Sequence, residues 1–201
     1  MHGNKRSCND LNVYINLSVG YLKNMKYTVE KLIPESMIRN RVIELGRQIE
    51  KDYSGEDNNL VVLGLLRGSF IFMADLSRQI GVGHSIDFLT VSSYGDGMSS
   101  SHKIDIIRDL SEEIQNKHVL IVEDIIDTGI TLSQVCDYLM QKRPRSLEIC
   151  ALFNKPSRRV INVEVKYIGL SIPDEFIVGY GLDYAQKHRH LPYVGKVIMA
   201  E

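Results

Sequence analysis

The sequence contains no tryptophan and only three cysteines among its 201 residues. Because these cysteines are widely spaced, they cannot form a disulfide framework, and the reducing cytoplasm is the expected location. No uninterrupted apolar run approaches the roughly 20 residues that a membrane-spanning helix requires. The composition therefore argues against a membrane protein and against a small disulfide-stabilised secreted domain.

The sequence also has no excess of positively or negatively charged residues. The 24 Lys and Arg residues balance 25 Asp and Glu residues, so the formal net charge is -1. This balance argues against a general nucleic-acid binder, although it does not exclude a local basic patch. Hydrophobic residues make up 44% of the chain and charged residues 24%, which are ordinary values for a globular protein. A chain of this length is expected to form one domain around its own core.

The most informative stretch is Val119 to Leu132, which reads VLIVEDIIDTGITL. It begins with four consecutive apolar residues, the pattern of a strand buried on both faces of a parallel sheet. Glu123 and Asp124 follow at the point where that strand is expected to leave the sheet. Asp127 to Thr131 then form a short polar turn that contains a single glycine. The stretch therefore predicts a strand that ends in acids and a polar turn.

A helix is predicted directly after this turn. Its apolar residues recur at i, i+3, i+4, i+7 and i+8, at Leu132, Val135, Cys136, Leu139 and Met140. Pro144 ends the helix. A strand, an acidic turn and a helix in this order place carboxylates and free helix N–H groups at the carboxyl edge of an open α/β sheet. Ligands bind at that edge.

The turn itself suits a phosphate group. Unpaired N–H groups and the helix dipole favour an anion at Asp127 to Thr131, and the hydroxyls of Thr128 and Thr131 are further donors. Gly129 lets the backbone approach the anion closely.

The acids suit other parts of a ligand. Glu123 and Asp124 are adjacent acceptors for the vicinal hydroxyls of a ribose or for a divalent cation. Asp127 lies past them and is free to take a proton. On these residues alone a simpler interpretation stays open, in which Asp127 or Thr128 only caps the helix and the acids are solvated.

The stretch resembles the signature of the type I phosphoribosyltransferases, which bind phosphoribosyl diphosphate (PRPP): two acids after a hydrophobic strand, then DTG and a threonine. Three further segments narrow the resemblance to the 6-oxopurine branch, whose members act on hypoxanthine. These are LLRGS (Leu65 to Ser69), SSYG (Ser92 to Gly95) and DEFIVGYGLDYAQKHRHLP (Asp174 to Pro192). The resemblance runs from about Met25 to the C-terminus. It implies a purine-salvage enzyme that converts hypoxanthine, and guanine as a second substrate, to IMP or GMP and pyrophosphate.

The resemblance also implies roles for individual residues. The ribose and phosphate of PRPP would be bound by Glu123, Asp124, Asp127, Thr128, Gly129, Ile130 and Thr131. Asp127 would be the general base that takes a purine proton at N7. Ile130 is a departure, because some family members have lysine there. Only the backbone N–H of that position is needed for phosphate binding, so the difference carries little weight.

Further roles concern pyrophosphate and the mobile loop. Pyrophosphate would be contacted by Arg67, Gly68, Ser93, Tyr94 and Arg189. The family has a cis, non-proline peptide in the loop that corresponds to Leu66-Arg67-Gly68. Ser93 and Tyr94 match the mobile loop that closes over PRPP and excludes water.

The purine and metal sites follow from the same resemblance. Purine contacts are expected at Lys155, Phe176, Ile177 and Asp183. Lys155 would donate to the 6-oxo group and reject adenine, whose 6-amino group is itself a donor. The phenyl ring of Phe176 would stack on the base. Mg²⁺ would be bound by Asp183, Glu123 and Asp124.

Simpler interpretations of these residues also stay open. Lys155 could be a solvated charge at a strand end, and Phe176 could be an ordinary core residue. His188 and His190 are expected to be solvated, because nothing else supplies a zinc site.

The expected fold is α/β, with a central, mainly parallel sheet flanked by helices and a small hood formed by N- and C-terminal segments. Besides the central strand, four are predicted at Val61 to Leu66, Ile86 to Val91, Leu147 to Phe153 and Lys166 to Leu170, with an edge strand at Ile104 to Ile107. Helices are predicted from Pro34, with Ile38, Val42, Leu45 and Ile49 on one face, and from about Phe70 to before Gly81.

The domain organisation and assembly are expected as follows. Residues 25–201 form a single domain. Residues 1–24 lie outside the resemblance and are interpreted as a disordered extension or as sequence upstream of a translation start at Met25. The resemblance suggests a homotetramer built from dimers, or a homodimer.

Two rival functions remain at the level of sequence. One is a regulator with a phosphoribosyltransferase fold, either an RNA-binding attenuator or a PRPP sensor. It would need a basic RNA face or an added DNA-binding domain. The other is a receiver-like signalling domain whose strand-end acids accept a phosphoryl group. Formation of IMP from PRPP and hypoxanthine in the presence of magnesium distinguishes the enzyme from both.

Overall fold

A six-stranded sheet forms the centre of the protein in the computed structural model, which describes residues 27–55, 59–93 and 104–200. The strands and helices in chain order are β1 (Tyr27–Ile33), α1 (Glu35–Tyr53), β2 (Leu60–Leu66), α2 (Phe70–Ser77), β3 (His84–Ser93), β4 (Ile104–Arg108), β5 (His118–Ile126), α3 (Ile130–Gln141), β6 (Ser146–Asn154), β7 (Tyr167–Ser171), β8 (Ile177–Val178) and β9 (Val194–Met199). A short 3₁₀ helix, Pro156–Arg158, follows β6.

The large sheet has the strand order β4-β3-β2-β5-β6-β7. All neighbours pair in parallel except β3 and β4, which are antiparallel. From β2 the chain moves outward to β3 and β4, then returns to the other side of β2 and continues through β5, β6 and β7. The order therefore reverses between β2 and β5, and the carboxyl ends of these two strands flank the crevice where α/β proteins bind ligands. The predicted fold class is confirmed.

The alternation of side chains along β2 and β5 divides the core into two clusters. Val62, Leu120 and Val122 belong to the cluster that contains the buried residues of α1 and α2. Val61 and Ile121 belong to the cluster that contains the buried residues of α3. Both faces of the central strands are thus covered, which explains their uninterrupted apolar sequences.

A second, three-stranded sheet has the order β1-β9-β8, with antiparallel pairing. It joins the start of the described chain to its end, because Tyr27 pairs with Met199. It contributes Ile177 and Val194 to the same core cluster as α1 and α2. The hood of N- and C-terminal segments is therefore present. Strands β1, β8 and β9 were not among the strands predicted from the sequence.

Several predicted boundaries change. Strand β5 does not end at Val122: its pairing with β6 continues to Ile126 and Asn154, so Glu123 and Asp124 lie within the strand. In α3, Met140 is 56% exposed rather than part of the apolar face. The helix from Phe70 ends at Ser77.

Some predictions fall outside the described residues. These are the extension at residues 1–24 and Tyr94. No helix in the described ranges is long and apolar enough to cross a membrane.

Candidate active site

The carboxyl end of β5 carries two partly buried acids. Burial raises the pKa of Glu123 well above its ordinary value, and the neighbouring Asp124 charge raises it further. Burial also raises the pKa of Asp124, to about 6, although its carboxylate accepts the N–H of Ile125 and lies near the charge of Arg189. The interpretation of these acids as fully solvated is wrong. Such a pair is poised to accept hydroxyl donors or a cation.

The turn between β5 and α3 is shaped by a glycine. Gly129 is the N-cap residue of α3 and has φ 82°, in the left-handed region that favours glycine. A Cβ at this position would lie 2.4 Å from the carbonyl oxygen of Ile161. Asp127 is therefore not the helix cap, whereas Thr128 Oγ1 accepts a 3.4 Å hydrogen bond from the N–H of Ile130, the first residue of α3. The capping interpretation does not account for Asp127.

A segment after β6 holds this turn in place. The N–H groups of Val160 and Ile161 donate to the carbonyl oxygen of Thr128 at 2.9 and 3.0 Å. The N–H of Lys155 donates to the carbonyl oxygen of Ile126 at 3.0 Å. The turn from Asp127 to Thr131, the predicted phosphate turn, is therefore fixed by backbone hydrogen bonds to residues 155–161.

Asp127 is 42% exposed and forms an ion pair with Arg158, whose Nε lies 3.1 Å from Oδ1. The Nε–H group is not aligned with that oxygen, because Oδ1 is buried and makes no hydrogen bond within the described part of the chain. The contact is therefore an ion pair without an aligned hydrogen bond. Arg158 was not predicted as a site residue, although it follows Lys155 by three residues in KPSRR.

The loop after β2 lies against the β5 acids. The Leu66-Arg67 peptide is cis, as predicted. Gly68 lies so close to Asp124 that a Cβ there would be 1.7 Å from Oδ2. Gly181, at φ 101°, packs in turn on the Gly68 carbonyl oxygen, which an added Cβ would approach to 2.1 Å. The structure thus brings together the Leu66-Arg67-Gly68 loop, the β5 acids and the C-terminal segment.

Arg189 organises the C-terminal side of the site. Its Nη2 lies 2.6 Å from Asp183 Oδ1, and its Nη1 donates to the carbonyl oxygen of Gly181 at 2.7 Å. The side-chain oxygen of Gln186 accepts from both Arg67 and Arg189, at 3.0 and 3.3 Å. Two guanidinium groups therefore meet beside the loop, where they would face an anion.

Lys155 follows β6 directly and is 6% exposed. Its Nζ donates to the carbonyl oxygen of Glu175 at 2.6 Å. The interpretation of Lys155 as a solvated charge is wrong. A buried ammonium group retains two further donors, which makes it a strong candidate for recognising a ligand oxygen.

Phe176 and Ile177 have opposite environments. The phenyl ring of Phe176 is 53% exposed and meets Tyr184 edge to face, with the centroids 5.4 Å apart. The core interpretation of Phe176 is therefore wrong. Ile177 is buried in β8 opposite Lys196. A half-exposed aromatic ring thus follows directly after Glu175, whose carbonyl oxygen accepts from the buried Lys155, and such a ring can stack on a planar heterocycle.

The two histidines of the C-terminal segment differ. His188 is half-buried rather than solvated, and its Nε2 shares a 2.8 Å hydrogen bond with the Tyr27 hydroxyl. Burial lowers the pKa of His188, and the nearby His190 and Lys187 charges lower it further. His190 is exposed, as expected. Ser93 is the last residue of β3, so its backbone lies at the edge of the same sheet.

A metal would need more than protein ligands here. Within the described ranges, no three or more His, Cys, Asp or Glu side chains are arranged to hold a metal ion by themselves. The charge of Asp183 nevertheless raises the pKa of Asp124, so these two carboxyl groups lie near each other.

Comparison with known proteins agrees with this geometry. A family model described as a phosphoribosyl transferase domain matches residues 35–185. The match covers most of the chain, so the chain belongs to the phosphoribosyltransferases.

Individual relatives show to which group of phosphoribosyltransferases the chain is similar. The hypoxanthine phosphoribosyltransferase of Escherichia coli K12 is 58% identical over 177 residues, which cover 88% of this chain and 99% of the relative. The hypoxanthine-guanine phosphoribosyltransferase of Staphylococcus aureus Mu50 is 49% identical and covers 83% of this chain and 92% of its own. The chain belongs to the hypoxanthine phosphoribosyltransferase family.

Solved structures give the same result. A crystal structure of a Staphylococcus aureus hypoxanthine phosphoribosyltransferase superimposes with a TM-score of 0.79 at 49% identity, covering 83% of this chain and 90% of that one. A hypoxanthine-guanine phosphoribosyltransferase from Bacillus anthracis gives a TM-score of 0.80 at 43% identity, with 84% and 98% covered.

Proposed function

We propose that the protein transfers the 5-phosphoribosyl group of PRPP to hypoxanthine, and also to guanine, with release of pyrophosphate. The observation that carries this proposal is the direct connection between the phosphate turn and the buried Lys155. The Lys155 N–H bonds to the end of β5 at Ile126, and its ammonium group lies at the segment that leads to Phe176. A phosphate cradle and a 6-oxopurine donor thus share one sheet edge.

PRPP would occupy the crevice between β2 and β5. The turn from Asp127 to Thr131 supplies backbone N–H groups and the positive end of α3 to the 5′-phosphate. Glu123 and Asp124 accept from the ribose hydroxyls. The cis-peptide loop at Arg67 and Gly68, with Arg189, contacts the pyrophosphate, where charged donors are worth most.

Mg²⁺ is the proposed cofactor, and the donor set fits it. Magnesium prefers a few carboxylates combined with substrate phosphates and water rather than an all-protein cage. Glu123, Asp124 and Asp183 are such carboxylates. Burial raises the pKa values of Glu123 and Asp124, and a bound cation would favour their ionised forms. When bound, the ion neutralises charge on the departing pyrophosphate.

The purine would lie between Lys155 and Phe176. The Lys155 ammonium donates to the 6-oxo oxygen, the Phe176 ring stacks on the base, and the backbone of Ile177 bonds its edge. An adenine 6-amino group would meet a donor with a donor, so adenine is rejected.

Asp127 supplies the proton chemistry. As C1 of the ribose loses pyrophosphate, the purine nitrogen attacks it, and the Asp127 carboxylate accepts a purine proton at N7. Ser93 and Tyr94 belong to the loop proposed to close over the reacting carbon and exclude water.

A cytoplasmic location and a homotetrameric or homodimeric assembly complete the proposal. The location is supported by the free thiols of Cys136 and Cys150, and the assembly by family resemblance.

The test is incubation of purified protein with PRPP, Mg²⁺ and either hypoxanthine, guanine or adenine, with separation of the nucleotide products. We expect IMP and GMP with stoichiometric pyrophosphate, and no more than a trace of AMP. Failure to form IMP or GMP while PRPP still binds would instead support a PRPP sensor.

A further inference from the structure

Arg158 lies between two parts of the site that are distant in sequence. It is the last residue of the 3₁₀ helix that follows Lys155. Its Nε is 3.1 Å from Asp127 Oδ1, and its Nη1 is 3.4 Å from Asp174 Oδ1. One guanidinium group therefore contacts both the acid of the phosphate turn and the acid that opens the segment leading to Phe176.

This contact makes the two oxygens of Asp127 unequal. Oδ1 is buried and lies against the Arg158 guanidinium, although the side chain as a whole is 42% exposed. The exposed part of Asp127 therefore lies away from Oδ1, which leaves Oδ2 as the carboxylate oxygen that a ligand can reach. The attraction between the guanidinium and Oδ1 favours the side-chain orientation that keeps Oδ1 beside Arg158, and this orientation also sets the direction of Oδ2.

The backbone on both sides of Arg158 is fixed to the phosphate turn. Before it, the Lys155 N–H bonds to Ile126; after it, Val160 and Ile161 bond to the carbonyl oxygen of Thr128. These backbone hydrogen bonds thus place Arg158 next to Asp127. The ion pair is half-exposed, and such a pair contributes little to folding stability. Stability alone does not explain the arrangement.

We propose that Arg158 is a positioning residue for Asp127. It holds Oδ1 so that Oδ2 is directed at the purine proton, and its contact with Asp174 links this orientation to the base-binding segment. The inference rests on the proposed function, because it concerns the general base of that reaction.

The experiment measures the rate of IMP formation in a single turnover for the wild-type protein and for Arg158→Gln, Arg158→Lys and Asp127→Asn, and for the double variant Arg158→Gln/Asp127→Asn. The matched control is Arg47→Gln, which changes an exposed arginine of α1. The KM for PRPP and the thermal midpoint are recorded for every variant.

We expect Arg158→Gln to lower the single-turnover rate by about tenfold, with little change in the KM for PRPP or in the thermal midpoint. Arg158→Lys should recover part of the rate, and Arg47→Gln should match the wild type. In the Asp127→Asn background, Arg158→Gln should lower the rate less than about twofold, because the group it positions is already neutral.

Two results would overturn the inference: a rate for Arg158→Gln equal to that of Arg47→Gln, or a tenfold fall that persists in the Asp127→Asn background. An inactive wild-type protein would contradict the proposed function, and the inference with it. An active wild type with an unaffected Arg158→Gln contradicts the inference alone.

Discussion

Some charged side chains of the site are partly or almost completely buried. Lys155 is almost completely buried but is bonded to one carbonyl oxygen, and Asp124 lies among backbone donors and other acids. The burial of each charged group has a measurable consequence, because a buried charge depends on its partners to offset the cost of losing water.

Lys155→Ala should weaken the use of 6-oxopurines far more than the binding of PRPP. Loss of a hydrogen bond from a charged donor costs about 1.5–3 kcal/mol, which corresponds to roughly 10- to 100-fold in kcat/KM for hypoxanthine. Lys155→Met, which retains an aliphatic side chain, separates this effect from lost packing. Exposed Lys51→Ala is the control. A fall in PRPP affinity with unchanged purine parameters would show that Lys155 serves the other substrate.

Asp124→Asn should stabilise the ligand-free protein at pH 7.5 more than at pH 4.5. The folded-state pKa of Asp124 is raised to about 6, above its unfolded value of about 3.9. The stability that this group contributes is therefore fully present below pH 4 and is lost as the pH rises through about 6. Thermal midpoints of both proteins at the two pH values measure the difference. An equal shift at both would contradict the raised pKa.

The residue types of the site were predictable from sequence, but their burial was not. Lys155 and Phe176 were expected by resemblance, while the simpler interpretation had the lysine solvated and the phenylalanine buried. In the structure Lys155 is buried and Phe176 is half-exposed. Lys155 follows the end of β6, where its ammonium group donates to the Glu175 carbonyl oxygen, whereas Phe176 lies just before the short strand β8. Arg158 was missed because its partners, Asp127 and Asp174, are brought to it only by the tertiary fold.

At the scale of elements, the junction of β5 and α3 depends on one backbone conformation. Gly129 adopts a positive φ where the chain passes from the strand turn into the helix, and it lies directly under the Ile161 carbonyl oxygen. The same glycine therefore sets the direction of α3 and the fit of the covering segment.

Gly129→Ala should lower both the thermal midpoint and the affinity for PRPP. Gly55→Ala is the matched control, because Gly55 also has a positive φ of 96° but an added Cβ meets nothing within 4 Å. Both variants incur a left-handed penalty of about 1–2 kcal/mol. Only Gly129→Ala adds a collision with Ile161, so only it should weaken PRPP binding, measured by calorimetry. Equal PRPP affinity in the two variants would show that the turn tolerates the added methyl group.

The elements of the large sheet were predictable because its strands are short apolar runs separated by helical patterns. The extension of β5 to Ile126 was not, since its last residues include two acids whose strand conformation comes from pairing with β6. The strands β1 and β9 were also missed. These two strands pair with each other although they lie at opposite ends of the described chain. Neither has a sequence pattern that indicates its partner.

At the scale of the whole molecule, the site is assembled from four segments: the loop after β2, the turn after β5, the residues after β6 and the C-terminal segment. The reversal of strand order between β2 and β5 explains why the first two meet. The hood sheet brings the last segment back over them through β8 and β9. The proposed chemistry, with Asp127 as the general base, therefore depends on the complete fold.

The most direct test of this account is rapid-quench measurement of IMP formation by the wild-type protein and by Asp127→Asn. This method isolates the chemical step from product release, which can limit steady-state turnover. Because Gly129, not Asp127, is the helix cap, the variant should fold and bind PRPP normally. We predict that its chemical step is slower by roughly 10²–10⁴-fold, as expected for loss of a general base. An unchanged chemical step in a folded, PRPP-binding variant would contradict the central role of Asp127.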